Sequence, residues 1–196
     1  MNPLDTAVVK ALNHAADHPG LRTVAIDSAK YAFAIPILLL AVLGLVALWR
    51  RAAGDAAVVV LAAAGAVVAL AVNKVVGAVY FRTRPLYALP GPHGVHPLIP
   101  HPNDSSFFSD HSLAAAAFAT GVLLIAWRWG VVAWAAAGLT AVGRVAVGVH
   151  YPSDVLMGLA VGAAGAVVLV RVLREPVERV WATLLGRFRG SATGRR

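Results

Sequence analysis

Three short stretches of this 196-residue chain bring histidine, carboxylate and guanidinium groups together. The first runs from Lys74 to Pro85 and contains Arg82 and Arg84. The second is Ser105-Ser106-Phe107-Phe108-Ser109-Asp110-His111-Ser112. The third begins at Arg144, reaches His150 six residues on and Asp154 four beyond that. Pro152 suits the first turn of a helix, where its missing N–H leaves nothing unsatisfied, so Asp154 falls in that turn within reach of His150. A carboxylate on one imidazole nitrogen fixes the tautomer and leaves the other nitrogen free to attack an electrophile. The same pair also suits a plain hydrogen bond between two helices, and its sequence alone does not separate the two.

Ser109-Asp110-His111 reads as a helix start. Ser109 is a good N-cap, Asp110 complements the helix dipole, and the free N–H groups of such a terminus favour a phosphate. His111 in that turn is placed to donate a proton to a leaving oxygen. Arg84 and Arg144 are candidate phosphate clamps, because guanidinium binds phosphate oxygens bidentately and keeps its charge at any working pH. Arg144 lies among Ala141, Val142, Val145 and Ala146, where an ionisable group points to function. Lys74 and Arg82 join the candidate phosphate ligands, although anchoring at a membrane interface explains either. His93, His96 and His101 match no standard metal spacing, so no metal and no other cofactor is expected.

The elements that must carry these groups are set by hydropathy. Hydrophobic residues make up 59% of the chain and charged residues only 13%, with a mean hydropathy of +0.74. That surface faces lipid, since a soluble domain is usually about 25% charged. Charges delimit apolar runs that predict about five transmembrane helices, near 30–50, 55–79, 111–127, 130–149 and 153–173. Asn2 to Asp17 has Leu4, Val8, Leu12 and Ala15 at helical spacing and predicts an interfacial helix. Asp5 interrupts that segment, which therefore does not read as a signal peptide. The fold class is an all-α integral membrane helical bundle. Residues 1–29 form an interfacial helix and linker, 30–173 the membrane-embedded domain, and 174–196 a basic tail. Gly158, Gly162 and Ala166 give the last helix a small-residue face suited to packing inside the bundle. Leu86 to Ser106 contains five prolines, and so long a loop between hydrophobic helices suggests a site.

The formal charge of +8 arises between and after the apolar runs, which points to anionic headgroups and away from nucleic acid. The absence of cysteine excludes disulfides and thiol catalysis. Ten of the 17 Lys and Arg residues fall in the turns after the first and third predicted spans and in the tail, including Arg187, Arg189, Arg195 and Arg196. This bias predicts a cytoplasmic C-terminus and an extracytoplasmic site.

Together the clusters resemble the type-2 phosphatidic-acid phosphatase family, whose pattern is Lys-x6-Arg-Pro, Pro-Ser-Gly-His and Ser-Arg-x5-His-x3-Asp. Arg84-Pro85 matches the first motif, Ser109 and His111 the second, and Arg144, His150 and Asp154 the third. The likeness implies His150 as nucleophile, Asp154 as its orienting partner, and His111 as proton donor to the leaving group. Arg84, Arg144 and Ser109 would hold the phosphoryl oxygens, with Asp110, Lys74 and Arg82 around them, and no metal is required. Three departures stand out: Gly77 occupies the motif-lysine position, Asp110 and Phe108 replace Gly and Pro, and Gly143 replaces the serine before Arg144. Lys74 or Arg82 could supply the missing charge.

Tyr80-Phe81-Arg82-Thr83-Arg84-Pro85 and the Ser-Asp-His variant are similar to bacterial undecaprenyl-diphosphate phosphatases of this family. The resemblance implies a long-chain polyprenyl diphosphate as substrate, at a site on the extracytoplasmic face of the bacterial inner membrane. Phosphatidylglycerol phosphate or phosphatidic acid is the alternative substrate class. A non-catalytic lipid-phosphate carrier is the competing function.

Overall fold

The long apolar runs fold as helices, and the charged residues that delimit them lie at or near helix ends. The computed structural model describes residues 2–193. Helix α1 spans Pro3–Ala15 and is capped by Asn2, whose Oδ1 accepts from the Leu4 N–H at 3.0 Å. Helix α2, Pro19–Tyr31, fills most of what the sequence reading leaves as a linker. Pro19 opens it, and Ala25 and Ala29 are buried on its inner face. Helices α3 (Ala34–Arg50), α4 (Ala53–Val79), α6 (Asp110–Ile125), α7 (Trp127–Ala146) and α8 (Pro152–Thr193) take the places of the predicted spans. A short α5, Pro85–Ala88, follows the first motif.

By length and apolarity, α4, α7 and Pro152–Gly186 of α8 can each cross a bilayer. A fourth span results if α2 and α3, bent by 41° at their junction, count together. The structure thus supports three to four spans where the sequence suggests about five. At 17 residues, α3 is short of a full crossing on its own, as is α6 at 16. The outward faces of α3, α4, α7 and α8 are apolar, with Leu45, Val67, Val75, Val131, Leu156 and Val168 all exposed. The chain is an all-helical membrane bundle.

Helix α8 runs on past residue 173, where the sequence places the tail, with Pro176 inside it. Ion pairs one turn apart, Arg174–Glu178 and Arg179–Glu175, accompany that extension. Arg195 and Arg196 lie outside the described residues, as do the side chains of Arg187 and Arg189.

Small residues draw the helices together. The core joins Leu40 of α3, Ala62 and Ala66 of α4, Ala115 and Ala119 of α6, and Ala166 of α8. A Cβ on Gly65 would come within 2.9 Å of the backbone at Gly165 and Ala166, and one on Gly162 would overlap the Leu113 carbonyl. The small face of α8 therefore packs inside the bundle. Gly143 explains one departure from the motif. A Cβ there would stand 2.6 Å from the Ala29 amide nitrogen, so a serine is excluded by the close approach of α2 to α7.

Candidate active site

Five stretches converge on a cavity of about 370 Å3: the end of α4, the Arg84 segment, the proline-rich loop, the start of α6 and the α7–α8 junction. Arg84, Arg144, His111 and His150 line it together with Lys74 and Asp110. Ser109, Arg82 and Asp154 lie outside that lining.

His150 sits in the turn between α7 and α8 and is only 2% exposed. Gly148, at φ +81°, turns the chain tightly just before it. The imidazole Nδ1 lies 2.9 Å from the Ser106 carbonyl oxygen. A carbonyl only accepts, so Nδ1 carries the proton and Nε2 of the neutral ring holds the lone pair. Burial pushes the His150 imidazole well below the usual histidine range, and Arg144 and Arg84 press the same way. The ring is therefore neutral at physiological pH.

Asp154 holds His150 less directly than its spacing suggests. Its Oδ2 is 3.9 Å from Nδ1, beyond hydrogen-bond distance. That oxygen instead accepts from the Ser106 hydroxyl at 2.5 Å and the Tyr151 N–H at 2.9 Å. Ser106 thus joins the carboxylate to the ring, its hydroxyl toward one and its carbonyl toward the other. Only its place beside the Ser-Asp-His stretch hinted at this role.

The arginines divide sharply. Arg84 is buried, donates to the Val149 carbonyl at 2.9 Å, and lies 3.2 Å from His150 Nε2. It pairs with Asp104 of the proline-rich loop at 2.8 Å. Burial opposes charge on the Asp104 carboxyl, but Arg84 outweighs it and holds that group below the usual carboxylate range. Arg144 is equally buried, yet among the described residues its Nε has no hydrogen-bond partner and no carboxylate pairs with it. A buried cation without a counterion is costly, and an anion entering the cavity would supply the missing charge.

Arg82 faces away from the cavity. It bridges Asp5 at 2.7 Å and Asp154 at 2.5 Å, with its guanidinium 4.1 Å above the Tyr151 ring. Of the two candidates for the missing motif charge, Lys74 is the one that lines the cavity, paired with Asp110 at 2.8 Å. Gly77 lines it too, and a Cβ there would meet only ordinary contacts, the nearest 3.5 Å away.

Ser109 uses its hydroxyl inside the protein, accepting from the Ser112 N–H and hydroxyl at 3.4 and 3.2 Å. It is the N-cap of α6. Asn73, hidden in an apolar run, grips the same segment through Phe108 and Asp110. His111 rests edge-on against Phe33, with ring centroids 5.0 Å apart. Of the three loop histidines, His101 lines the cavity, whereas His96 turns to Asp17 and His93 is exposed. The loop serves the site through His101, Pro102, Asp104 and Ser105.

A family profile described as the PAP2 superfamily matches residues 55–177. Undecaprenyl-diphosphatase BcrC of Bacillus subtilis (strain 168) is 42% identical over 94 residues, 47% of this chain and 46% of the relative. The bacitracin transport permease protein BcrC of Bacillus licheniformis is 34% identical over 131 residues, 63% of this chain and 60% of that protein. The chain thus spans about half to three-fifths of the length of these relatives. The crystal structure of Aquifex aeolicus LpxE is similar at a TM-score of 0.62 and 21% identity, covering 84% of this chain and 93% of that one. At that identity the likeness is one of fold.

Proposed function

The chain belongs to the PAP2 superfamily, and from that premise we propose that it is a membrane lipid phosphatase that hydrolyses a polyprenyl diphosphate. The products are the polyprenyl monophosphate and inorganic phosphate. One observation carries the reading: a buried His150 with Nδ1 held by Ser106 shares a cavity with Arg144, which pairs with no carboxylate among the described residues.

In the proposed sequence, the Nε2 lone pair attacks the terminal phosphorus. The bond from phosphorus to the bridging oxygen breaks, and His111 protonates the departing monophosphate. Water then attacks the phosphohistidine, His111 accepts a proton from it, and the phosphorus–nitrogen bond breaks to release phosphate. Arg84 and Arg144 stabilise the charge on the equatorial oxygens, which is where most catalysis of phosphoryl transfer resides. Asp154 acts through Ser106 on the ring. Lys74 and Asp110 sit at the cavity wall, where Lys74 can meet a second phosphate group.

The similarity to a protein named undecaprenyl-diphosphatase supports the substrate class. The arginine bias supports a cytoplasmic C-terminus and an extracytoplasmic site in a bacterial inner membrane, where recycling of a cell-wall lipid carrier would take place. The membrane-embedded unit is proposed to run from 30 to 173, between an N-terminal segment and a basic tail.

The test is phosphate release by purified protein from undecaprenyl diphosphate, phosphatidylglycerol phosphate and phosphatidic acid, joined to rapid trapping of labelled phosphoryl enzyme. Release from the diphosphate and a label on His150 are expected. Hydrolysis of only the glycerolipids would overturn the substrate class. Turnover by His150→Ala equal to wild type would overturn the mechanism.

A further inference from the structure

The network behind His150 begins on a helix that the sequence assigns to the membrane surface. Asp5 lies in the first turn of α1 and is only 5% exposed. Its carboxylate accepts from the Ser153 N–H at 3.0 Å, the Ser153 hydroxyl at 2.5 Å and Arg82 Nη2 at 2.7 Å. It therefore satisfies a free N–H at the start of α8 from another helix. Arg82 carries the chain onward through Nη1 to Asp154 Oδ1. The other Asp154 oxygen holds Ser106, whose carbonyl holds His150 Nδ1.

The far end of α1 grips the same turn from its other side. Asn13, fully buried, donates to the Ala146 carbonyl at 2.8 Å and to the His96 carbonyl at 2.9 Å. Helix α1 thus clasps the His150 turn at Ala146 before it and at Ser153 after it. Anchoring to a membrane asks only for exposed apolar side chains, which Leu4 and Val8 supply. A carboxylate taken out of water is costly until its partners offset the lost hydration, so Asp5 has no place in an anchor alone.

We propose that Asp5 is a positioning residue of the reaction, holding Arg82, Asp154 and Ser106 so that His150 keeps one tautomer and one tilt. Asp5, and not the apolar face of helix α1, then serves phosphoryl transfer. The inference rests on the phosphatase reading, and the experiment separates the two.

Full-length Asp5→Asn, Asp5→Glu and Val9→Ala are compared with wild type in thermal unfolding, in kcat and KM for undecaprenyl diphosphate, and in imidazole 15N shifts. Because misplacing a reacting group by about 1 Å can lower a rate roughly 100-fold, Asp5→Asn should lose about 10- to 100-fold in kcat with KM nearly unchanged. Its His150 spectrum should change from the single Nδ1–H form to a mixture. Asp5→Glu, which keeps the charge, should recover part of kcat. Val9→Ala should lower Tm and lose kcat only in proportion to its unfolded fraction.

An Asp5→Asn protein with wild-type kcat and wild-type His150 shifts overturns the inference. So does a loss in Asp5→Asn that only follows its folded fraction, as in Val9→Ala. If wild type releases no phosphate from any lipid phosphate, the phosphatase reading fails by itself. The His150 shifts of Asp5→Asn then decide the positioning claim alone, unchanged shifts refuting it and altered shifts supporting it.

Discussion

His150 stands between two walls of opposite charge. In front, the cavity presents Arg84 and Arg144, and its two carboxylates, Asp104 and Asp110, pair with Arg84 and Lys74 and leave Arg144 unpaired among the described residues. Behind, Asp5 and Asp154 close on Arg82 from both sides. Arg82 is ion-paired to a carboxylate on each side, whereas Arg144 has a buried nitrogen with no partner among the described residues. The lesson is that an arginine neutralised by the protein's own carboxylates builds, whereas a buried one left unpaired can accept a ligand's charge. This contrast can be broken at each of its members.

The largest effect belongs to the residue between the walls. His150→Ala should lower phosphate release by roughly six orders of magnitude, as loss of the nucleophile does in a serine hydrolase. Trapped phosphoenzyme should vanish with it. Because burial holds the His150 pKa below the ordinary 6.5, any acid limb of kcat/KM due to this ring should lie lower than that of a free histidine. A limb from His150 at or above that value would contradict a neutral, buried nucleophile.

Arg82→Ala comes next, and its main readout is stability. It strands two buried carboxylates, a change that costs about 3–5 kcal/mol when one partner of a buried pair is removed. Tm should fall steeply. Arg144→Met should do the reverse, raising Tm slightly while kcat/KM drops about 100- to 1,000-fold. Arg144→Lys should restore little, because a point charge does not reproduce the guanidinium fork. Equal Tm losses for Arg82→Ala and Arg144→Met would erase the distinction between the walls.

The front wall was the more legible in sequence. Arg84, His111, Arg144 and His150 are chemically conspicuous in an apolar chain, and all four meet at the cavity. The back wall was not. Asp5 reads as an interruption of an amphipathic helix, Arg82 as one of two stand-ins for a lysine, and Ser106 as one serine among several. Their roles come from contacts between residues 44 to 148 positions apart, such as Ser106–His150, Arg82–Asp5 and Ser153–Asp5. No local periodicity encodes these. Helix α2 was missed because its apolar face is short and broken by Arg22, Asp27 and Lys30. Ser109 shows a further limit, since a good N-cap and a good phosphate donor have the same sequence.

Gly143→Ser restores the motif residue and should still do harm. Its Cβ would press on the Ala29 backbone, and overpacking of this kind costs about 1–3 kcal/mol. A lower Tm without a gain in kcat/KM is expected. A gain would mean that α2 can shift and that the missing hydroxyl limits the reaction.

Lys74 should give the smallest change. Its side chain is 72% exposed, and its pair with Asp110 lies at the mouth of the site. Exposed pairs contribute about 0–1 kcal/mol, so Lys74→Ala should leave Tm alone and raise KM by no more than about fivefold. The effect should shrink with added salt, whereas that of Arg144→Met should not, because screening acts mainly on exposed charges. Gly77→Lys sharpens the point. That position faces the cavity with room for a side chain, so the added ammonium should lower KM and make Lys74→Ala silent. If Gly77→Lys leaves the Lys74→Ala effect intact, the two sites bind different parts of the substrate, and Lys74 is no substitute for the motif lysine.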